Sequence, residues 1–273
     1  MLLSTSMFAL VNTFVKFLEN IPAHELIFFR SIISLSLCLV ALKRQKLAVF
    51  GNNKAWLLIR GFAGVTALTL FFITLQNISM ANAVSIQYLS PLFTAIIAIF
   101  LLNEKVKKMQ WVYFAMAIAG VVIIKGFDEN LSWFYLMLGV VSSLFAGLAY
   151  NAVRTCKDTD KPVQVVFYFP LVATPIMACW CLYDWVQPQG WDWLFLLIIG
   201  LGTQVAQLYM TKALHSDATN MVTPVKYIGA VYAILIGYFV FDETLLLLNI
   251  VGIFIIVLAV LLNTSGNLIK RKR

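Results

Sequence analysis

Apolar residues in this chain come in long runs, and the polar residues fall in short clusters between them. Ten runs stand out, over 1–18, 24–42, 55–77, 81–102, 108–125, 132–153, 163–183, 191–213, 218–241 and 245–263. Each is about 18–25 residues long, the length a helix needs to cross a hydrocarbon core. The pattern predicts an all-α integral membrane protein with ten transmembrane helices. Connections are short, so no separate soluble domain is expected. Met1 begins directly in apolar sequence, without the basic region and cleavage site of a signal peptide.

Sliding the chain on itself by 139 residues superposes the first five runs on the second five without a gap. Identities fall in every pair, among them Ser4 with Ser143, Asn12 with Asn151, Phe28 with Phe167, Gly61 with Gly200, Tyr88 with Tyr227, Glu104 with Glu243 and Val112 with Val251. The clearest stretch sets YLSPLFTAIIAIFLLNE, residues 88–104, against YIGAVYAILIGYFVFDE, residues 227–243. Four of the seventeen positions are identical and most others keep their size. An odd number of spans per half turns the second half upside down, so the chain reads as two inverted five-helix repeats, 1–130 and 131–273. That plan suits alternating access, because two similar halves of opposite orientation can exchange conformations around one central site. The same offset maps the start of helix six to position −7, so helix one is expected to lack about seven residues of its natural beginning.

Composition agrees. Hydrophobic residues make up 62% of the 273 and charged residues 12%, and the mean hydropathy is +0.90, more apolar surface than a soluble domain can bury. The net charge of +8 changes meaning once its location is read. With a cytoplasmic N-terminus, the inner loops and tail hold Lys43, Arg44, Lys46, Lys54, Lys105, Lys107, Lys108, Arg154, Lys157, Lys161, Lys212, Lys270, Arg271, Lys272 and Arg273, and the outer loops hold Lys125. This positive-inside bias sets both termini in the cytoplasm and makes the basic pI a report of topology, not of a nucleic-acid partner. Cys38, Cys156, Cys179 and Cys181 lack paired spacing and read as free thiols, and His24 and His215 stand apart, so no metal or other cofactor is expected.

The stretches LLIRGFAGVTALTLFFITLQNISMANA, residues 57–83, and ANAVSIQYLSPLFTAIIAIFLLNEKV, residues 81–106, resemble the third and fourth helices of the drug/metabolite transporter superfamily in its EamA-type branch. The resemblance covers essentially the whole chain, although Pro224 and Ala230 depart from the Ser90-Pro91 arrangement of the first half. It implies a bundle in which helices one to four and six to nine surround a central cavity while five and ten lie to the side. Members of this family carry amino acids, nucleotide sugars, organic anions and other metabolites.

Ionisable groups inside spans point to where a solute would bind, since each costs about 2.5–3.5 kcal/mol on insertion scales unless paired or wet. Lys16, Arg30, Arg60 and Lys226 qualify. Lys16 and Arg60 lie near span ends, where the head can instead snorkel to an interface. Arg30 either pairs with Glu25 or a lipid headgroup, or meets a solute. Lys226, eight residues into the ninth run, lies about 12 Å deep and is the repeat mate of Gln87. Gln87-Tyr88 and Lys226-Tyr227 would therefore approach one midplane site from related helices. Gln204, Gln207 and Thr211 share a face of helix eight and either hydrogen-bond a neighbour or line water. Asn12 and Asn151 are either interhelical glue or cavity wall. Pro91, Pro170, Pro175 and Pro224 lie within spans, where a static kink competes with a gating role. Glu104 and Glu243, matched by the offset at span ends, fit capping or interface pairing better than ion coupling.

Buried cations with no deep carboxylate predict a small-molecule substrate that is anionic or zwitterionic, moved by exchange or facilitated efflux without a membrane-embedded acid as proton carrier. Membrane lipid is the other expected partner, and a bacterial inner membrane the expected location. A non-transporting scaffold and, less well, a membrane enzyme are the competing classes.

Overall fold

The computed structural model describes residues 1–102, 108–126, 132–215 and 223–268. Among these the chain is helical: α1 (Leu2–Phe17), α2 (Ala23–Arg44), α3 (Lys54–Asn77), α4 (Met80–Gln87), α5 (Ser90–Leu102), α6 (Lys108–Gly126), α7 (Trp133–Thr155), α8 (Pro162–Cys181), α9 (Asp192–His215), a 3₁₀ turn (Thr223–Tyr227), α10 (Ile228–Phe241) and α11 (Leu247–Leu268). Seven segments are long and apolar enough to span a bilayer, α4 and α5 counting together as Met80–Leu101, and three shorter apolar helices join them. In hydrocarbon the backbone must satisfy its own hydrogen bonds, and an unbroken helix does so within one segment.

Two runs read as continuous are broken in the structure. The fourth stops at Gln87 and restarts at Ser90, with Tyr88 and Leu89 in a turn. Pro91 is the reason, since it has no N–H to offer the carbonyl of Gln87 and its ring crowds that carbonyl. The ninth enters α10 through the 3₁₀ turn that carries Lys226. The expectation that Lys226 lies eight residues inside a regular helix is thereby corrected, because it sits at the mouth of α10. Both breaks fall at the repeat mates Tyr88 and Tyr227.

Helices pack in related pairs: α3 lies on α7 and α1 on α9, α2 on α9 and α3 on α8, while α2 pairs with α8 and α6 with α11. The α6–α11 contact is close because it is glycine on glycine: a Cβ on Gly120 or on Gly252 would meet the other's carbonyl oxygen at 2.8 Å. Large apolar side chains such as Phe100, Phe239 and Phe254 point outward, as a hydrocarbon solvent allows.

Loop carboxylates tie helix starts. Asp160 accepts from the backbone of Asn52 at 2.6 Å and Asn53 at 3.3 Å, just ahead of α3. Glu243, after α10, accepts from Met80 N at 2.9 and 3.0 Å at the start of α4 and pairs with Lys16 Nζ at 2.5 Å. Lys16 also donates to Ile78 O at 2.8 Å. Its expected snorkel is corrected: a carboxylate and a carbonyl inside the protein satisfy the ammonium better than a strained reach to the headgroups. Glu104, the mate of Glu243, lies outside the described residues.

Candidate functional site

A central cavity of about 170 Å³ opens among α1, α2, α3, α4, α7, α8, α9, the 3₁₀ turn and the start of α10. That is an order of magnitude above the ~10–15 Å³ one water requires, so a solute fits as well as solvent. None of its described lining residues comes from α6 or α11. The lining runs to Met1, Ser4 and Thr5 at one end of α1 and does not include Lys16 at the other.

Of the residues singled out from sequence, Asn12, Arg30, Arg60, Gln87, Tyr88, Gln207 and Lys226 line this space together. Arg30 is 2% exposed, and its guanidinium faces the ring of Phe169 at 4.8 Å and of Phe72 at 5.9 Å. It makes no pair with Glu25, whose Oε2 accepts from Val186 N at 3.0 Å after α8. The alternative of a Glu25–Arg30 pair is thereby corrected, since that carboxylate is engaged on a loop. Arg60 is 4% exposed, donates to Gln207 Oε1 at 3.2 Å and faces Phe169 at 5.7 Å. This corrects the snorkel for Arg60. Gly64, one turn further along α3, has no side chain, and Arg60 Nη1 occupies the space a Cβ would take. The guanidinium thus folds inward along its own helix. Lys226 Nζ lies 3.3 Å from Tyr150 Oη and 4.6 Å from the centroid of that ring.

Tyr88 donates to Lys226 O at 3.0 Å and meets Tyr227 edge-on at 5.2 Å, so the two tyrosines matched by the 139-residue offset pack on each other. Gln87 accepts from Ser142 Oγ at 3.0 Å.

Three candidates are placed elsewhere. Tyr227 lies behind Tyr88 and is not a lining residue. Gln204 accepts from Ser34 and donates to Cys38 Sγ at 3.1 Å, which spends its amide on α2. Asn151 donates to Thr94 O at 3.0 Å and Gly147 O at 3.3 Å. The repeat mates Asn12 and Asn151 therefore diverge into wall and glue, and the polar stripe of helix eight divides between Gln207 on the cavity and Gln204 on α2. Two residues with no polar signal in the sequence matter as much. Phe169 stands against both arginines, and Tyr150 holds the lysine.

The described lining contains Arg30, Arg60 and Lys226 but no Asp or Glu. The Nε of each arginine is buried without a hydrogen-bond partner.

A membrane-spanning helical bundle around a largely apolar cavity that carries three cations fits the class of a small-molecule transporter. The chain belongs to the EamA-like transporter family, whose model matches residues 1–126 and again 133–265. It is 28% identical over 260 residues to the pseudopaline exporter CntI of Pseudomonas aeruginosa, covering 94% of this chain and 92% of that one. It is 25% identical over 289 residues to solute carrier family 35 member G1 of Mus musculus, covering 98% and 77%. With the S-adenosylmethionine uptake transporter of Rickettsia prowazekii it shares 25% over 187 residues, 67% of this chain and 61% of that one. A solved crystal structure superposes with a TM-score of 0.67 over 99% of this chain and 98% of its own, at 17% identity, a likeness of fold. The protein is a membrane transporter of small molecules.

Proposed function

We propose that this transporter moves a small anionic or zwitterionic metabolite, an organic anion or an amino acid, across a bacterial inner membrane by alternating access, with both termini cytoplasmic. The observation that carries the reading is Arg30, a buried cation among aromatic rings with no carboxylate beside it. Two inverted five-helix units, 1–130 and 131–273, would supply the two states. Three features support that plan: the family model matches twice along the chain, the packing of α3 on α7 is echoed by α1 on α9, and the helix breaks fall at mated tyrosines.

On this topology the Lys16–Glu243 pair closes the outer end, and the cavity reaches toward the inner end through Met1, Ser4 and Thr5. The absence of a carboxylate among the described lining residues supports exchange or facilitated efflux as the mode. The substrates of the bacterial relatives differ and so do their printed directions, export in one and uptake in the other, so the substrate class is argued from the cavity alone. Thermal stabilisation of the purified protein by a panel of organic anions, amino acids and nucleotide derivatives tests the reading, because a solute that binds the folded state raises its stability. Stabilisation by anions that Arg30→Gln abolishes is the expected result. Stabilisation by organic cations, or by anions equally in Arg30→Gln, would remove Arg30 from the site.

A further inference from the structure

The three cations of the cavity are linked by neutral groups. Arg30 and Arg60 share the wall of Phe169, at 4.8 and 5.7 Å, so they are no further apart than those two distances combined. Arg60 is held by the amide of Gln207 and lies within electrostatic reach of Tyr150, whose phenol in turn holds Lys226. An amide, a phenol and two phenyl rings orient these charges without cancelling any of them. A singly charged anion would leave two cations uncompensated in a space from which it has displaced water, and a zwitterion would add a fourth cation.

We infer that the solute carries two separate oxyanion groups, carboxylate or phosphate, one taken by Arg30 and Arg60 beside Phe169 and the other by Lys226 and Tyr150. This rests on the proposed function, in that the solute occupies this cavity. The division follows side-chain chemistry. Arginine presents a planar fork suited to bidentate contact with an oxyanion. Lysine presents a point charge, and the Tyr150 hydroxyl beside it supplies a second donor.

The test is binding to the purified full chain by calorimetry. The probes are straight-chain dicarboxylates of several lengths, their half-amides, and phosphomonoesters that also bear a carboxylate. A diacid is expected to bind about tenfold or more tightly than its half-amide, the scale on which losing a desolvated charge contact is felt. Lys226→Met should abolish that difference while leaving half-amide binding in place, whereas Arg30→Gln should weaken both ligands. Preference for the dicarboxylate or for the phosphate compound identifies the oxyanion. Melting of the unliganded variants checks that each is folded. Half-amides binding as well as diacids would overturn the two-group site and leave the anion-transport reading standing. Failure of every anionic probe would remove both.

Discussion

Lys16 and Arg30 are both cations within apolar runs, and their surroundings differ in kind. Lys16 has a carboxylate at 2.5 Å, a carbonyl at 2.8 Å and the ring of Phe241 at 5.6 Å. Arg30 has two phenyl rings. The fold can evidently neutralise a cation when the charge serves structure. At the cavity three cations have no carboxylate beside them among the described residues, which is the contrast the proposed anionic solute would account for.

The largest effect expected from this contrast is at the closed end. Lys16→Met strands Glu243, which is nearly buried and retains only the N–H of Met80. Removing one partner of a buried ion pair costs about 3–5 kcal/mol, and a thermal melt in detergent should fall accordingly. Adding Glu243→Gln should recover most of the loss, since no charge is then stranded. An unchanged melt for Lys16→Met would mean that the end is held shut by packing alone.

The same chemical change should have the opposite sign in the cavity. Arg30→Met replaces an uncompensated buried cation with an apolar side chain of similar length beside Phe72 and Phe169. The empty protein should gain about 1–2 kcal/mol, the membrane cost of the charge less its attraction to the rings, and should lose anion-dependent stabilisation. A lower melting temperature would make Arg30 a structural residue and erase the contrast.

These two sites also mark how far the sequence could be read. Run lengths were legible because the bilayer constrains the length of an apolar helix whatever the tertiary contacts are. The cavity's membership was partly legible, since a buried cation is rare enough to stand out. Facing was not. Depth along a helix told nothing about whether Arg60 turned toward the headgroups or inward, a choice settled by the room Gly64 leaves and by Gln207 on α9. Gln204 and Gln207, three residues apart, looked alike until α2 claimed one of them. Phe169 and Tyr150 carried no signal, because an aromatic residue in an apolar run is ordinary and only the packing of α7 and α8 on the cavity makes them partners of cations. The breaks at Tyr88 and Tyr227 were missed where the apolar pattern ran through them, although Pro91 marked the first.

The smallest expected effect separates a carboxylate proposed to close the transporter from one that only caps a helix. Asp160 and Glu243 do the same local work, each accepting backbone N–H groups at a helix start where the dipole favours negative charge. Asp160 adds its own neighbour Thr159 at 2.6 Å, whereas Glu243 adds Lys16 from across the bundle. Asp160→Ala should therefore lower stability by about 1 kcal/mol, the usual value of a cap, and leave access to the cavity unchanged. Glu243→Ala should both destabilise and open. The readout is labelling of Asn12→Cys, in a background without the native cysteines, by a membrane-impermeant thiol reagent added from outside. Faster labelling in Glu243→Ala and unaltered labelling in Asp160→Ala is the expected outcome. Equal rates in both would reduce the Lys16 pair to one more cap, because a latch between the halves must change which side of the membrane the cavity faces.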